Sequence, residues 1–170
     1  KTDFDLTRPN FVTLTIDVLK EFGFELKKDE KSCFYFEQIK DFEIPAEIEV
    51  RRDYTHLLTV LTLTKGLENK VSFNGLNVND KYNFEIFDQL NKIGYAPIIN
   101  SNFISIPKTP RKIDSAEIDF KNSIDNAFSV FALCLTNPAR YRFLNIETLS
   151  FKESDRLSLL ISILKQLKIQ

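Results

Sequence analysis

The sequence predicts an α/β chain built from repeated helix-and-sheet units, and three observations carry that reading. Apolar residues recur at helical spacing in segments that stop at a glycine, the segments ending at Gly23 and Gly94 are each followed by two short strand-like runs, and that pattern returns after about seventy residues, as stacked supersecondary units do. Bulk composition agrees. The 170 residues are 43% apolar and 28% charged, too apolar for a disordered chain and enough for one sizeable core or two small ones.

The elements follow in order. Over Pro9 to Phe22, residues Phe11, Leu14, Val18 and Phe22 form one stripe with Val12, Ile16 and Leu19 beside it. With Gly23 next, this predicts an amphipathic helix closed by a glycine C-cap. Phe24-Glu25-Leu26 and Cys33 to Phe36 flank the charged turn Lys27 to Lys31 and predict a hairpin. Glu47 to Val50 alternates like a strand, Tyr54 to Thr64 has helical spacing closed by Lys65-Gly66, and Lys70 to Phe73 reads as a strand. Phe84, Phe87, Leu90 and Ile93 predict a second long helix ending at Gly94, followed by strands Ala96 to Ile99 and Phe103 to Ile106. Beyond the turn Pro107 to Pro110 come a strand near Ile118 to Phe120, a helix from Ile124 to Leu135, a strand Tyr141 to Leu144 and a helix from Ser154 to Leu167.

Composition also narrows function. The formal net charge is -1, and the cations are interspersed with acids, so no basic stripe offers itself to nucleic acid. No apolar run approaches the roughly 18 to 20 residues that span a bilayer, and the opening Lys1-Thr2-Asp3-Phe4-Asp5 is unlike a signal peptide. These features predict a cytoplasmic protein without a membrane partner. Four glycines in no phosphate-loop pattern argue against a nucleotide cofactor. The lone His56 reads as a surface or capping residue at a helix start, and no metal or other cofactor is expected. Cys33 and Cys134 sit in apolar strings and read as buried, reduced thiols.

One string carries chemistry. Lys152-Glu153-Ser154-Asp155-Arg156 stands where a helix should begin, with Leu157, Leu160, Ile161 and Leu164 following. Ser and Asp there fit an ordinary capped helix entry. The same residues also fit an anion site, in which the first-turn N–H groups, Lys152 and Arg156 hold a carboxylate or phosphate and Glu153 moves protons.

The string resembles the K-E-[ST]-D-R motif of the shikimate-pathway branch of the enolpyruvyl transferases, the 5-enolpyruvylshikimate-3-phosphate synthase family. Its surroundings resemble the family in order and spacing. Thr7-Arg8-Pro9 through Phe22-Gly23 is similar to the S-[RK]-P-Y helix ending in F-G. Val50 to Asp53, then a helix and Lys65-Gly66, is similar to the V-E-G-D segment before the domain crossover. Asp119-Phe120-Lys121-Asn122-Ser123-Ile124-Asp125 is similar to the strand-to-helix turn that ends in P-D.

The resemblance implies the inside-out barrel fold of the enolpyruvyl transferases, in part. Residues 1–64 would be the end of the first domain and residues 65–170 the beginning of the second, with the crossing near Thr64-Lys65-Gly66-Leu67. The chain would be a middle piece, since the family's early Lys-Ser and Arg motifs, its S-S-Q phosphate site and its late Arg and Lys have no counterparts in it. The implied partners are phosphoenolpyruvate and shikimate 3-phosphate. Carried over by position, Asp125 binds shikimate hydroxyls and acts as acid/base, Lys152 contacts the 5-hydroxyl, Glu153 faces the methylene carbon and Arg156 grips phosphoenolpyruvate. Thr7 stands at a phosphate-binding Ser and Thr148 at a substrate-binding Asn. Two rivals share the fold. The enolpyruvyl transferase acting on UDP-N-acetylglucosamine lacks the K-E-[ST]-D-R motif. A degenerate, non-catalytic relative is suggested by Ile124 in place of the Pro and Tyr54-Thr55-His56 in place of A-S-S.

Overall fold

The computed structural model describes residues 9–29, 34–36, 45–48, 50, 53–64, 71–74, 85–100 and 103–169. It divides into two compact units, residues 1–52 and residues 53–170.

In the first unit, helix α1 (Pro9–Glu21) presents the apolar stripe read from the sequence. Gly23 ends it at φ +81°. The Phe24 N–H reaches the Leu19 carbonyl at 2.9 Å and the Gly23 N–H reaches Lys20 at 2.9 Å, the paired bonds of a Schellman cap. Strands β1 (Leu26–Lys28) and β2 (Phe34–Phe36) then pair antiparallel, with Leu26 opposite Phe36 and Lys28 opposite Phe34. Phe24 meets Phe36 edge to face at 6.1 Å. The alternation at Glu47 to Val50 makes no strand at residues 47, 48 or 50. Alternation selects a face only where a neighbouring strand supplies ladder partners, and Val50 stands open to solvent.

The second unit opens with helix α2 (Tyr54–Thr64), whose first turn is capped by Asp53 accepting from the Thr55 N–H at 2.8 Å. His56 lies beside that cap and is exposed, 3.6 Å from Asp53. Helix α3 (Ile86–Lys92) is shorter than its apolar period suggests, because Glu85 before it takes a left-handed φ of +63° that no helix continues through. It closes at Gly94 as α1 does at Gly23, with the Tyr95 N–H on the Leu90 carbonyl at 2.8 Å. Strands β3 (Val71–Asn74), β4 (Ile98–Ile99) and β5 (Phe103–Ile106) form an antiparallel sheet in the order β3-β5-β4.

Strand β6 (Ser115–Asp119) pairs in parallel with β7 (Arg140–Leu144), Ile118 lying opposite Phe143 and Asp119 opposite Leu144. Parallel neighbours need a crossover, here a 3-10 turn over Ile124–Asn126 running into helix α4 (Ala127–Cys134). A second 3-10 turn, Glu147–Phe151, leads to helix α5 (Arg156–Gln166).

One apolar core serves this unit. Tyr54, Leu57, Leu58 and Leu61 of α2 are buried in the same cluster as Ile86, Leu90, Ile118, Phe120, Val130, Leu149 and Leu160. Packing therefore places α2 with the segments after it, and the boundary between compact units falls at Arg52–Asp53; the crossing expected near Thr64-Lys65-Gly66-Leu67 falls mostly on residues outside those described. Residues 65–70 lie outside the described residues. Cys134 is a buried free thiol, and Cys33 lies outside the described residues. Among the described residues no helix is long and apolar enough to cross a membrane.

Candidate active site

Asp125 and Lys152 are separated by 27 residues, yet the Lys152 Nζ donates to the Asp125 carboxylate at 2.6 Å. Parallel pairing explains the meeting. Because β6 and β7 run the same way, the loops leaving both strands emerge at one edge, the carboxyl ends where open α/β sheets place their chemistry. Asp125 rides the loop after β6 and Lys152 the loop after β7. The two loops are stitched at their roots. The Phe120 N–H donates to the Leu144 carbonyl at 3.0 Å, and the Asp119 carboxylate accepts from the Lys121 N–H at 2.8 Å and from Asn145 Nδ2 at 2.7 Å. Asn145 turns the chain out of β7 at φ +56°, a conformation that Asn tolerates better than most residues.

Beside that pair, Arg156 donates to the Glu153 carboxylate at 2.6 Å. The Glu153 carboxyl is held below the usual carboxylate range, first by a hydrogen bond from its own backbone N–H and then by the charges of Arg156 and Lys152. Lys152 thus acts on both carboxylates. The side chains differ in solvent contact: that of Lys152 is 17% exposed and that of Asp125 37%, whereas that of Glu153 is 79% exposed.

Helix α5 starts at Arg156 with Asp155 as its cap, the carboxylate accepting from the Ser158 N–H at 3.0 Å and its hydroxyl at 2.6 Å. Those Ser158 bonds also hold the Asp155 carboxyl below its ordinary range. The positive end of the helix is therefore answered by the chain's own carboxylate.

Of the remaining expected residues, Thr148 is half-buried in the 3-10 turn Glu147–Phe151, outside the two ion pairs. Thr7 lies outside the described residues. Ile124, in the position of the family's Pro, is a core residue next to Asp125. Among the described residues no three of His, Cys, Asp and Glu gather as they would around a metal ion. Sequence reasoning passed over Gln89, Ser123 and Asn126, which are buried behind the Asp125 turn. The signal was an amide within the apolar face of α3, between Ile86 and Ile93.

Paired carboxylates and cations at the carboxyl edge of parallel strands are equipment for moving protons on an anionic substrate. The family model for EPSP synthase (3-phosphoshikimate 1-carboxyvinyltransferase) matches residues 6–170. The chain belongs to that family. The 3-phosphoshikimate 1-carboxyvinyltransferase of Methanococcus vannielii is 29% identical over 154 residues, covering 87% of this chain and 35% of that protein. That of Buchnera aphidicola subsp. Acyrthosiphon pisum (strain Tuc7) is 24% identical over 155 residues, 91% of this chain and 36% of that protein. The chain thus spans about a third of the length of the curated relatives it matches.

Proposed function

We propose that the complete protein to which this chain belongs transfers the enolpyruvyl group of phosphoenolpyruvate to the 5-hydroxyl of shikimate 3-phosphate, releasing phosphate. The observation that carries this is the Lys152–Asp125 contact at 2.6 Å, which joins two family motifs far apart in the chain into one acid/base site. In the first half of the reaction the 5-hydroxyl oxygen bonds to the enol carbon while the methylene carbon gains a proton. In the second half the tetrahedral intermediate loses phosphate as the methyl group gives a proton back. Asp125 binds shikimate hydroxyls and exchanges the hydroxyl proton, and Lys152 contacts the 5-hydroxyl and assists. Arg156 grips phosphoenolpyruvate, Glu153 faces the methylene carbon, and Thr7 and Thr148 contribute to holding shikimate 3-phosphate.

The Arg156–Glu153 pair suits that division of labour. Arg156 now helps hold Glu153 ionised. Turning to the carboxylate of phosphoenolpyruvate would remove that cation and raise the proton affinity of Glu153, as methylene protonation requires. The reading further assigns the chain to the inside-out barrel fold, with residues 1–64 in the first domain and residues 65–170 in the second, in a cytoplasmic enzyme.

The test is phosphate release by the complete protein from phosphoenolpyruvate with shikimate 3-phosphate, and in parallel with UDP-N-acetylglucosamine. Asp125→Asn or Glu153→Gln should lower kcat by roughly 10² to 10⁴, the span for removing a positioned acid or base. Arg156→Ala should act mainly on the KM for phosphoenolpyruvate. A folded protein that releases no phosphate from either pair would instead be a non-catalytic scaffold.

A further inference from the structure

We infer that Gln89 is a positioning residue, which through a buried network with Ser123 and Asn126 holds the turn carrying Asp125 and sets where that carboxylate meets Lys152. The inference rests on the acid/base reading of Asp125 given above. Gln89 lies on α3 among Ile86, Leu90 and Ile93 and is 1% exposed, with Ser123 at 5% and Asn126 at 3%. Its Nε2 donates to the Ser123 hydroxyl at 2.6 Å and, more weakly, to the Asp119 carbonyl at 3.4 Å, while its Oε1 accepts from Asn126 Nδ2 at 3.2 Å.

The arrangement brackets Asp125 in sequence. Ser123 and Asn126 turn inward onto one amide, the Asn126 N–H closes onto the Ser123 carbonyl at 2.9 Å, and the Asp125 side chain between them reaches Lys152 at 2.6 Å. A second tie joins the same partners, Asn122 Nδ2 donating to Glu85 just ahead of α3 at 3.1 Å. An apolar side chain would fill the core equally well, but it has no direction. The Gln89 amide is satisfied only while Ser123 and Asn126 both stay within hydrogen-bond reach of it, because moving either away leaves buried polar atoms unpaired. A displacement of about 1 Å costs a positioned acid/base group up to roughly 10²-fold in rate, so this network stands between the rigid core and the rate.

The experiment uses the complete protein. Gln89→Leu should lower kcat roughly 10- to 100-fold with little change in KM. The triple variant Gln89→Leu/Ser123→Ala/Asn126→Leu exchanges the whole network for apolar groups and should regain the melting temperature while kcat stays low. In an Asp125→Asn background, Gln89→Leu should add less than about 2-fold, since it acts through that carboxylate. Recovery of kcat together with melting temperature in the triple variant, or fully multiplicative effects, would overturn the inference. Ser123→Ala, which cuts one tie, serves if the larger changes prevent folding; it should lower kcat in the same sense, and an unchanged kcat counts against the inference. If the unaltered protein releases no phosphate, the functional reading fails, and the positioning inference is decided by NMR of carboxyl-¹³C aspartate. The Asp125 signal, assigned by its loss in Asp125→Asn, should move in chemical shift at fixed pH in Gln89→Leu or Ser123→Ala. An unmoved signal refutes positioning.

Discussion

Replacing Gly94 by Ala should be far more damaging than replacing Gly23, although both close helices with the same capping bonds. Each takes a φ that L residues avoid, +93° and +81°, at a cost of roughly 1 to 2 kcal/mol. The surroundings separate them. A Cβ on Gly23 would meet nothing within 4 Å, whereas one on Gly94 would stand 2.4 Å from the Arg111 carbonyl oxygen and 2.7 Å from Asn137 Nδ2. Neither neighbour can yield easily. The Arg111 carbonyl accepts from Asn137 at 3.0 Å, Asn137 is also bonded to the Ile93 carbonyl at 2.9 Å, and the Arg111 N–H is tied to Gly94 itself at 2.8 Å. Making room breaks a buried hydrogen bond, about 1 to 3 kcal/mol, and overpacks the site by a further ~1 to 3 kcal/mol. Gly94→Ala should therefore cost about 3 to 8 kcal/mol, and Gly23→Ala about 1 to 2 kcal/mol. Hydrogen exchange followed by mass spectrometry reads each helix separately. A gap of ~2 kcal/mol corresponds to a loss of protection in α3 roughly 30-fold greater than that in α1. Equal losses in the two helices would show that the Arg111–Asn137 contact does not constrain Gly94.

Three further outcomes are expected. Lys168 stands at φ +55° after α5, with the Ile169 N–H on the Leu164 carbonyl at 3.0 Å; Lys168→Gly should relieve the strain and, net of glycine's entropy, raise stability by about 0.5 kcal/mol, seen as stronger protection at the end of α5. Because the folded Asp155 carboxyl sits below its unfolded value, its support of α5 is complete above the ordinary Asp range and is lost as pH falls through the folded value; the acid-induced loss of α5 protection should shrink in Asp155→Ala. Burial pushes the Cys134 thiol up to about 12, so at pH 8 iodoacetamide should leave the Cys134 peptide unmodified until the protein unfolds.

The sequence made much of the fold legible because its signals are local. The helix over Pro9 to Phe22, the hairpin after it, the stops at Gly23 and Gly94, and the order strand, helix, strand, helix from Ile118 onward all depend on periodicity and on residues that tolerate particular φ angles. Where a signal required a partner it misled, as at Glu47, Ile48 and Val50, which join no ladder among the described residues. The α3 segment misled for another reason, since an apolar period does not reveal that Glu85 adopts a left-handed conformation.

The candidate site divides along the same line. Lys152, Glu153, Asp155 and Arg156 were readable as one string because capping and charge pairing act within a helical turn. What the sequence by itself determined was thus most of the elements, the capped entry to α5 and the residue types able to move protons. The tertiary structure alone decided that β6 and β7 run parallel, which carries Asp125 across 27 residues to Lys152. It also decided that α2 packs with the second unit and that Gln89 turns inward beneath the Asp125 turn. Pairing direction and burial are settled by which surfaces meet, and a buried amide is stable only where distant residues complete its hydrogen bonds.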